Sequence, residues 1–258
     1  MRACLLLCAL LGAGPAGAAS LKAEYRITLA GLTLGSADLT GRFTGDRYDL
    51  SMTAQLTGIA GLFTASGRGG ATATGSLGPV RPVSQGFSAS TRASGAERKV
   101  QVEIENGNAG DVLIAPPFEP RPDRVPLREA DRRGIVDPLS GILGVVATRG
   151  RPDDPANCDR TIPVFDGTQR FNVVLSYAET KPVAKPGYAG PVLVCNARYV
   201  PVTGHRPSRW AVQYMQDNRE MSVWLAPVEG ARALVPIRIA IMTYYGLGVV
   251  EAERWRVD

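Results

Sequence analysis

Few side chains in this sequence have the reactivity that catalysis requires. The 258 residues include one histidine, His205, which lies within Gly204-His205-Arg206-Pro207. A Ser-His-Asp triad would depend on His205, and no serine lies within a GxSxG motif. We predict that His205 lies in a loop and is hydrogen-bonded to neighbouring residues. The functional alternative is that its imidazole responds to pH or contacts a ligand. The motifs that bind phosphates or dinucleotides are missing, so no cofactor is predicted.

The segment 165–171, FDGTQRF, is the most motif-like part of the chain. Its structural interpretation is a hairpin in which Asp166 and Gly167 form the turn. Its functional interpretation places Asp166 and Arg170 in a cleft as an ion pair or ligand clamp. Together with His205 they form the candidate polar cluster, and the structural interpretation is favoured.

Acid-base hydrolysis by carboxylates is a further alternative. Glycosidases place two carboxylates on either side of the bond that they cleave. Four acids near predicted turns could converge in this way: Asp137, Asp159, Asp166 and Glu179. Acids near turns usually cap the backbone or face water, so no catalytic residue is assigned.

The first residues have the pattern of a secretory signal peptide, predicted over residues 1–19. Arg2 supplies the positive charge, and an apolar run extends from Ala3 to Leu11. This run is far shorter than the roughly 20 residues that span a bilayer. Small residues allow cleavage after either Ala18 or Ala19, and the chain is therefore expected to be exported.

Cleavage would remove Cys4 and Cys8 and leave Cys158 and Cys195. Two cysteines in an exported chain most simply form one disulfide. The alternative is a redox or metal-binding pair, but the spacing is not CxxC and one histidine is available. No metal site is predicted.

Alternation of apolar and polar residues predicts that strands dominate. Leu21 to Leu29 shows this period, as does Val100 to Ile104, which is followed directly by the hairpin-forming pair Asn106-Gly107. We count about ten such segments, most of them separated by short turns. The predicted fold class is mainly β, a curled antiparallel sheet or open barrel with one or two short helices packed on it.

Two segments depart from this period. Asp137 and Pro138 resemble the start of a helix, and apolar residues at helical spacing follow: Leu139, Ile142, Leu143 and Val146. A second candidate helix extends from Ser208, its predicted cap, to Asp217, with a loop as the alternative. A Pro- and Arg-rich connector near residues 115–137 joins two β-halves, and residues 20–258 are expected to form a single domain.

Composition excludes several classes of protein. With 45% hydrophobic and 21% charged residues, the chain is neither disordered nor fibrous. The net charge of +5 is modest and no long basic run occurs, so nucleic acid is not a predicted partner.

Several segments together resemble one protein family: AEYRITLAGLTLGSADLTGRF, VDPLSG, CDRTIPVFDGTQRF, YAGPVLVC and YVPVTGH. The family consists of exported proteobacterial proteins and is catalogued as a domain of unknown function, number 3108. The resemblance covers essentially all of the mature chain. It implies a periplasmic, β-rich protein and supports the pairing of Cys158 with Cys195, but it brings no activity and no catalytic residues.

Three functions are consistent with these features. The first is a periplasmic, non-enzymatic binding or carrier protein whose curled sheet encloses an apolar or lipid-like ligand. The second is a structural or interaction protein of the cell envelope, without a ligand cavity, that contacts another envelope protein or a membrane surface. The third is the hydrolytic enzyme. A buried cavity would favour the first, and an apolar outer patch would favour the second.

Overall fold

The computed structural model describes residues 18–57, 67–93 and 95–258. Within these residues the chain forms fourteen strands and one α-helix. The strands of the first half are β1 (Ala18–Leu29), β2 (Leu32–Thr44), β3 (Arg47–Leu56), β4 (Gly67–Leu77), β5 (Pro82–Ala93), β6 (Ala96–Glu105) and β7 (Asn108–Ala115). Those of the second half are β8 (Gly144–Val145), β9 (Arg160–Phe165), β10 (Arg170–Lys185), β11 (Tyr188–Thr203), β12 (Met221–Pro227), β13 (Ala233–Thr243) and β14 (Gly246–Val257). The helix is α1 (Trp210–Asp217), and 3-10 turns occupy Glu129–Arg132, Ser140–Ile142 and Pro155–Asn157.

All strands belong to one antiparallel sheet, in the order β7-β6-β5-β4-β3-β2-β1-β14-β13-β12-β11-β10-β9, with β8 paired to β13. The two halves meet where β1 pairs with β14. The sheet is not closed, because β7 and β9 are its two ends. The predicted open antiparallel fold is confirmed, but the predicted count of about ten strands is wrong. Among the strands missed is β4, whose glycines and small polar residues carry little apolar alternation.

The end of the predicted connector links the β6–β7 turn to the edge strand β9. Ile135 N–H donates to the Gly107 carbonyl in the β6–β7 turn at 2.7 Å. Val136 pairs on its other side with β9: its N–H donates to Pro163 O at 2.8 Å, and its carbonyl accepts from Phe165 N–H at 2.9 Å. The connector is thus held against both halves of the sheet in its last residues.

The helix predicted from Leu139 to Val146 is instead a single 3-10 turn, Ser140–Ile142, followed by strand β8. The correction has a physical cause, because glycine is a poor helix former and lets the backbone approach its neighbours closely. A Cβ atom at Gly144 would lie 2.9 Å from the Leu234 Cβ. The apolar residues are still used: Leu139, Leu143 and Val146 are buried and Ile142 is partly buried.

The second predicted helix is confirmed as α1, Trp210–Asp217. Its predicted cap is wrong. Arg209 occupies the cap position, while the Ser208 hydroxyl donates to the Asp123 carboxylate at 2.9 Å. This bond ties the start of the helix to the connector.

The predicted disulfide is present and lies within the smaller of two apolar clusters. Residues that alternate along β11 face opposite sides, so Val192 and Val194 join the large core while Leu193 and Cys195 join a smaller cluster. Cys158 packs in the smaller cluster and is bonded to Cys195 with a Cα–Cα distance of 5.5 Å. The predicted signal peptide falls almost entirely on residues 1–17, which lie outside the described residues.

Candidate ligand cavity

A cavity of about 290 Å³ lies on the side of β9–β13 that carries the smaller apolar cluster. The segment 138–144 and helix α1, through Met215, complete its walls. Most of its lining is aliphatic or aromatic. The volume is at the lower end of the range of roughly 300–1,000 Å³ that is usual for small-molecule sites.

Period-two alternation builds the sheet side of this cavity. Because alternate side chains of a strand share one face, each strand contributes residues two apart: Phe171, Val173 and Leu175 from β10, Ala197 and Tyr199 from β11, and Met221, Val223 and Leu225 from β12.

Strand β13 lines the cavity on both sides of a bulge, which changes its alternation. The register shifts between Trp224 and Leu225, so that one extra residue of β13 is accommodated there. Beyond the bulge, Ile239 lies opposite Val223 and Ile241 lies opposite Met221, and both isoleucines line the cavity.

The segment 138–144 contains two glycines, and the close packing of this segment requires only the second, Gly144. A Cβ at Gly141 would be 3.5 Å from Val164 Cγ2 and 3.6 Å from Ile162 Cγ2, which are ordinary contacts. At Gly144 it would be much too close to Leu234.

The charged side chains at the cavity are Arg160 and Arg198. Arg198 is exposed, whereas Arg160 is partly buried. Burial lowers the pKa of the Arg160 guanidinium below its ordinary value. Arg160 Nη1 donates to Val80 O at 3.3 Å, Nη2 donates to Val145 O at 3.3 Å, and Nε is buried with no hydrogen-bond partner.

The residues of the candidate polar cluster, Asp166, Arg170 and His205, lie near the same end of β9–β11, but no hydrogen bond or ion pair of the described residues joins them. Asp166 caps its own turn, because its Oδ1 accepts from the backbone N–H groups of Thr168 and Gln169, both at 2.7 Å. The structure therefore shows the Asp166 carboxylate engaged within its own turn.

Arg170 and His205 each have one buried nitrogen without a hydrogen-bond partner, Nη1 and Nδ1 respectively. Burial lowers the pKa of both side chains. Arg170 is opposed to Thr203 across β10 and β11, and the charge of Asp131 acts on it in the opposite direction, raising its pKa.

The four candidate acids have four different environments. Asp137 is fully buried, Asp166 occupies its turn, and exposed Glu179 pairs with partly buried Lys181 at 2.9 Å. Asp159 adjoins the disulfide and is exposed. Within the described ranges no contact joins any two of these acids, so the geometry gives no support to a carboxylate pair.

Asp137 belongs to a buried polar network that holds the segment 138–144 in place. Its carboxylate accepts from Ser84 Oγ at 2.5 Å and from the N–H groups of Leu139 and Ser140 at 3.0 and 2.8 Å. The Tyr48 hydroxyl donates to Ser140 Oγ at 2.7 Å. Burial raises the pKa of the Asp137 carboxyl, and the hydrogen bonds from Ser140 and Ser84 oppose that effect.

An exposed aromatic cluster lies beside the cavity, where α1 meets the β13–β14 turn. Trp210 is 57% exposed and Tyr244 is 73% exposed, and their ring centroids are 5.8 Å apart. Tyr214 and Tyr245 extend the cluster in edge-to-face contacts. We refer to Trp210, Tyr214, Tyr244 and Tyr245 as the aromatic cluster.

Sequence reasoning missed Arg160, the network around Asp137 and the aromatic cluster. A signal for Arg160 existed, because it alternates with Ile162 and Val164 along β9 and so shares their face. The Asp137 network and the aromatic cluster depend on contacts between segments that are distant in sequence. The periodicity of a single segment does not predict such contacts.

The described ranges contain no group of three or more His, Cys, Asp or Glu side chains that could hold a metal ion. In the same part of the chain, none of the helices has the length and apolar character needed to cross a bilayer.

The fold and the cavity define a mainly β protein built on one open antiparallel sheet, with an apolar cavity beside it. The chain belongs to the family described as "Protein of unknown function (DUF3108)", whose model matches residues 24–253. No curated protein and no solved structure matches the chain.

Proposed function

We propose that the protein is a periplasmic, non-enzymatic binding or carrier protein for an apolar or lipid-like ligand, exported by its signal peptide. The observation that carries this proposal is the 290 Å³ cavity, which is lined almost wholly by apolar side chains. An apolar ligand that fills this cavity removes its apolar lining from water, which is favourable. The disulfide is compatible with export.

The first experiment is native mass spectrometry of protein purified from the periplasm, followed by solvent extraction of any adduct. A stoichiometric apolar adduct is expected. A bare protein mass, which persists after incubation with envelope lipids, would overturn the carrier proposal.

A variant that fills the cavity tests the site itself. Ala197 lines the cavity on β11, so Ala197→Phe places a ring in the ligand's space. Ala189→Phe is the matched control, because Ala189 is an exposed residue of the same strand. With N-phenyl-1-naphthylamine as the fluorescent probe, Ala197→Phe should bind at least about tenfold more weakly than the wild type, the loss expected for about 1.4 kcal/mol. Ala189→Phe should bind normally. If the wild type and both variants bind the probe equally well, the probe does not bind in this cavity.

The aromatic cluster supports a second candidate, an envelope protein that contacts a membrane surface. Trp and Tyr are enriched at membrane-water interfaces because their rings are apolar and carry one polar group. The double variant Trp210→Ser/Tyr244→Ser should then no longer float with vesicles of phosphatidylethanolamine and phosphatidylglycerol. Phe118→Ser, at an exposed aromatic residue outside the cluster, is the control. Wild-type protein that does not float would exclude this candidate.

A further inference from the structure

Arg160 lies on a wall that two cavities share. Beside the apolar cavity is a second recess of about 440 Å³, between the loop 79–82 and the segment 147–157. Leu143, Arg160 and Ile162 line both spaces. Since the other two residues are aliphatic, Arg160 is the one cation on this shared wall.

The guanidinium of Arg160 has unused capacity for hydrogen bonds. Its Nε is buried and unpartnered, and its contacts to Val80, Val145 and Asn157 are long, at 3.3, 3.3 and 3.5 Å. A charge-assisted bond from a guanidinium to an anion is shorter, about 2.7–2.9 Å. No carboxylate of the described ranges pairs with Arg160. A partly desolvated cation without a counter-ion costs free energy, which a bound anion would offset.

We propose that Arg160 binds the anionic headgroup of a single-chain amphiphile whose apolar chain occupies the 290 Å³ cavity. This inference rests on the proposed function. It restricts the class of ligand from any apolar molecule to one that carries an anionic headgroup. The planar guanidinium suits carboxylate and phosphate equally, since both offer two acceptor oxygens. Apart from Arg160, the second recess is lined by the acids Asp154 and Asp159 and by one further cation, Arg81. The two carboxylates outnumber Arg81 and disfavour an anion deep in the recess, so the headgroup is placed at the shared wall, against Arg160.

Three probes of equal chain length separate the contributions of charge and chain: dodecanoate, dodecyl phosphate and dodecan-1-ol. Each is titrated at pH 7.5 against protein loaded with N-phenyl-1-naphthylamine. Four variants accompany the wild type: Arg160→Gln, Arg160→Lys, Arg198→Gln and Arg256→Gln. Arg256→Gln is the matched control, because it also loses one positive charge but at a side chain that is 72% exposed. Thermal unfolding confirms that each variant is folded.

The wild type is expected to bind dodecanoate or dodecyl phosphate at least roughly tenfold more tightly than dodecan-1-ol, as hydrogen bonds to a charged group would give. The acid with the greater affinity identifies the headgroup. Arg160→Gln should remove that preference with little change for the alcohol, Arg160→Lys should retain part of it, and Arg256→Gln should retain all of it.

Other results overturn one proposal or both. Equal affinity of the wild type for acid and alcohol would overturn the headgroup assignment and leave the apolar cavity standing, as would displacement by none of the three. Loss of the preference in Arg198→Gln instead of Arg160→Gln would move the headgroup to Arg198. If N-phenyl-1-naphthylamine itself does not bind to the wild type, the carrier proposal fails as well. Should Arg160→Gln not fold, the comparison of acid and alcohol on the wild type decides alone.

Discussion

Ser84 and Asp137 are joined by two hydrogen bonds in the protein interior. Ser84 Oγ donates to Asp137 Oδ2 at 2.5 Å and accepts the Asp137 backbone N–H at 3.0 Å. Both residues are fully buried. A side chain of β5 thereby fixes the start of the segment 138–144, which forms one wall of the cavity.

Ser84→Ala should lower the free energy of unfolding by about 2 kcal/mol. The reason is that it leaves a buried carboxylate oxygen and a buried N–H without a partner, which costs about 1–3 kcal/mol. Urea denaturation measures the change. Ser90→Ala, at an exposed position of the same strand, is the control and should differ little from the wild type. Equal stability of all three proteins would show that another group replaces the hydroxyl.

Asp137→Asn should change how stability depends on pH. Burial raises the folded-state pKa of Asp137 above the ordinary 3.8, so the unfolded chain releases this proton at a lower pH than the folded protein. The contribution to stability is full below the unfolded pKa and is lost as the pH rises through the folded pKa. The wild type should therefore lose stability relative to Asp137→Asn as the pH rises from 3.5 to 7. The loss is about 1.4 kcal/mol for every tenfold difference in proton affinity between the folded and unfolded states. If the free energies of unfolding of the wild type and Asp137→Asn change with pH in the same way, the pKa of Asp137 is not raised in the folded protein.

Removing the disulfide should destabilise the protein by about 4 kcal/mol, which is the chain-entropy expectation for a loop of this length. Its cysteines are 37 residues apart. The double variant Cys158→Ala/Cys195→Ala is compared with the wild type by urea denaturation, with and without dithiothreitol. The reductant should destabilise the wild type and leave the double variant unchanged. If it affects neither protein, the two cysteines are not bonded in solution.

How much could be predicted from sequence differs between the fold and the site. The β6–β7 hairpin followed directly from Asn106-Gly107, and both residues have the positive φ values, 50° and 74°, that such a turn requires. Strand β4 could not be predicted from sequence, because its side chains show little apolar alternation. It is a strand because its backbone pairs with β3 and β5.

The cavity could not be found from sequence for a related reason. The strand residues that line it do follow period two, but Ile239 and Ile241 reach it only through the bulge in β13. Proline at position 236 predicts a late start or an edge position for this strand. Instead β13 is an interior strand that begins at Ala233, and Pro236 lies next to the bulge. The missing N–H of proline is tolerated there because the ladder is already interrupted.

The two glycines of the segment 138–144 give a matched pair of substitutions. Gly144→Ala should destabilise the protein by about 1–3 kcal/mol, since its Cβ would lie 2.9 Å from Leu234 Cβ and overpacking in a core has this cost. Gly141→Ala should be close to neutral, because its Cβ would meet Val164 and Ile162 at ordinary distances of 3.5 and 3.6 Å. Thermal unfolding ranks the two variants, and binding of N-phenyl-1-naphthylamine reports on the cavity. Equal stability of the two variants would contradict the close packing of β8 on β13, because only that packing distinguishes the two positions.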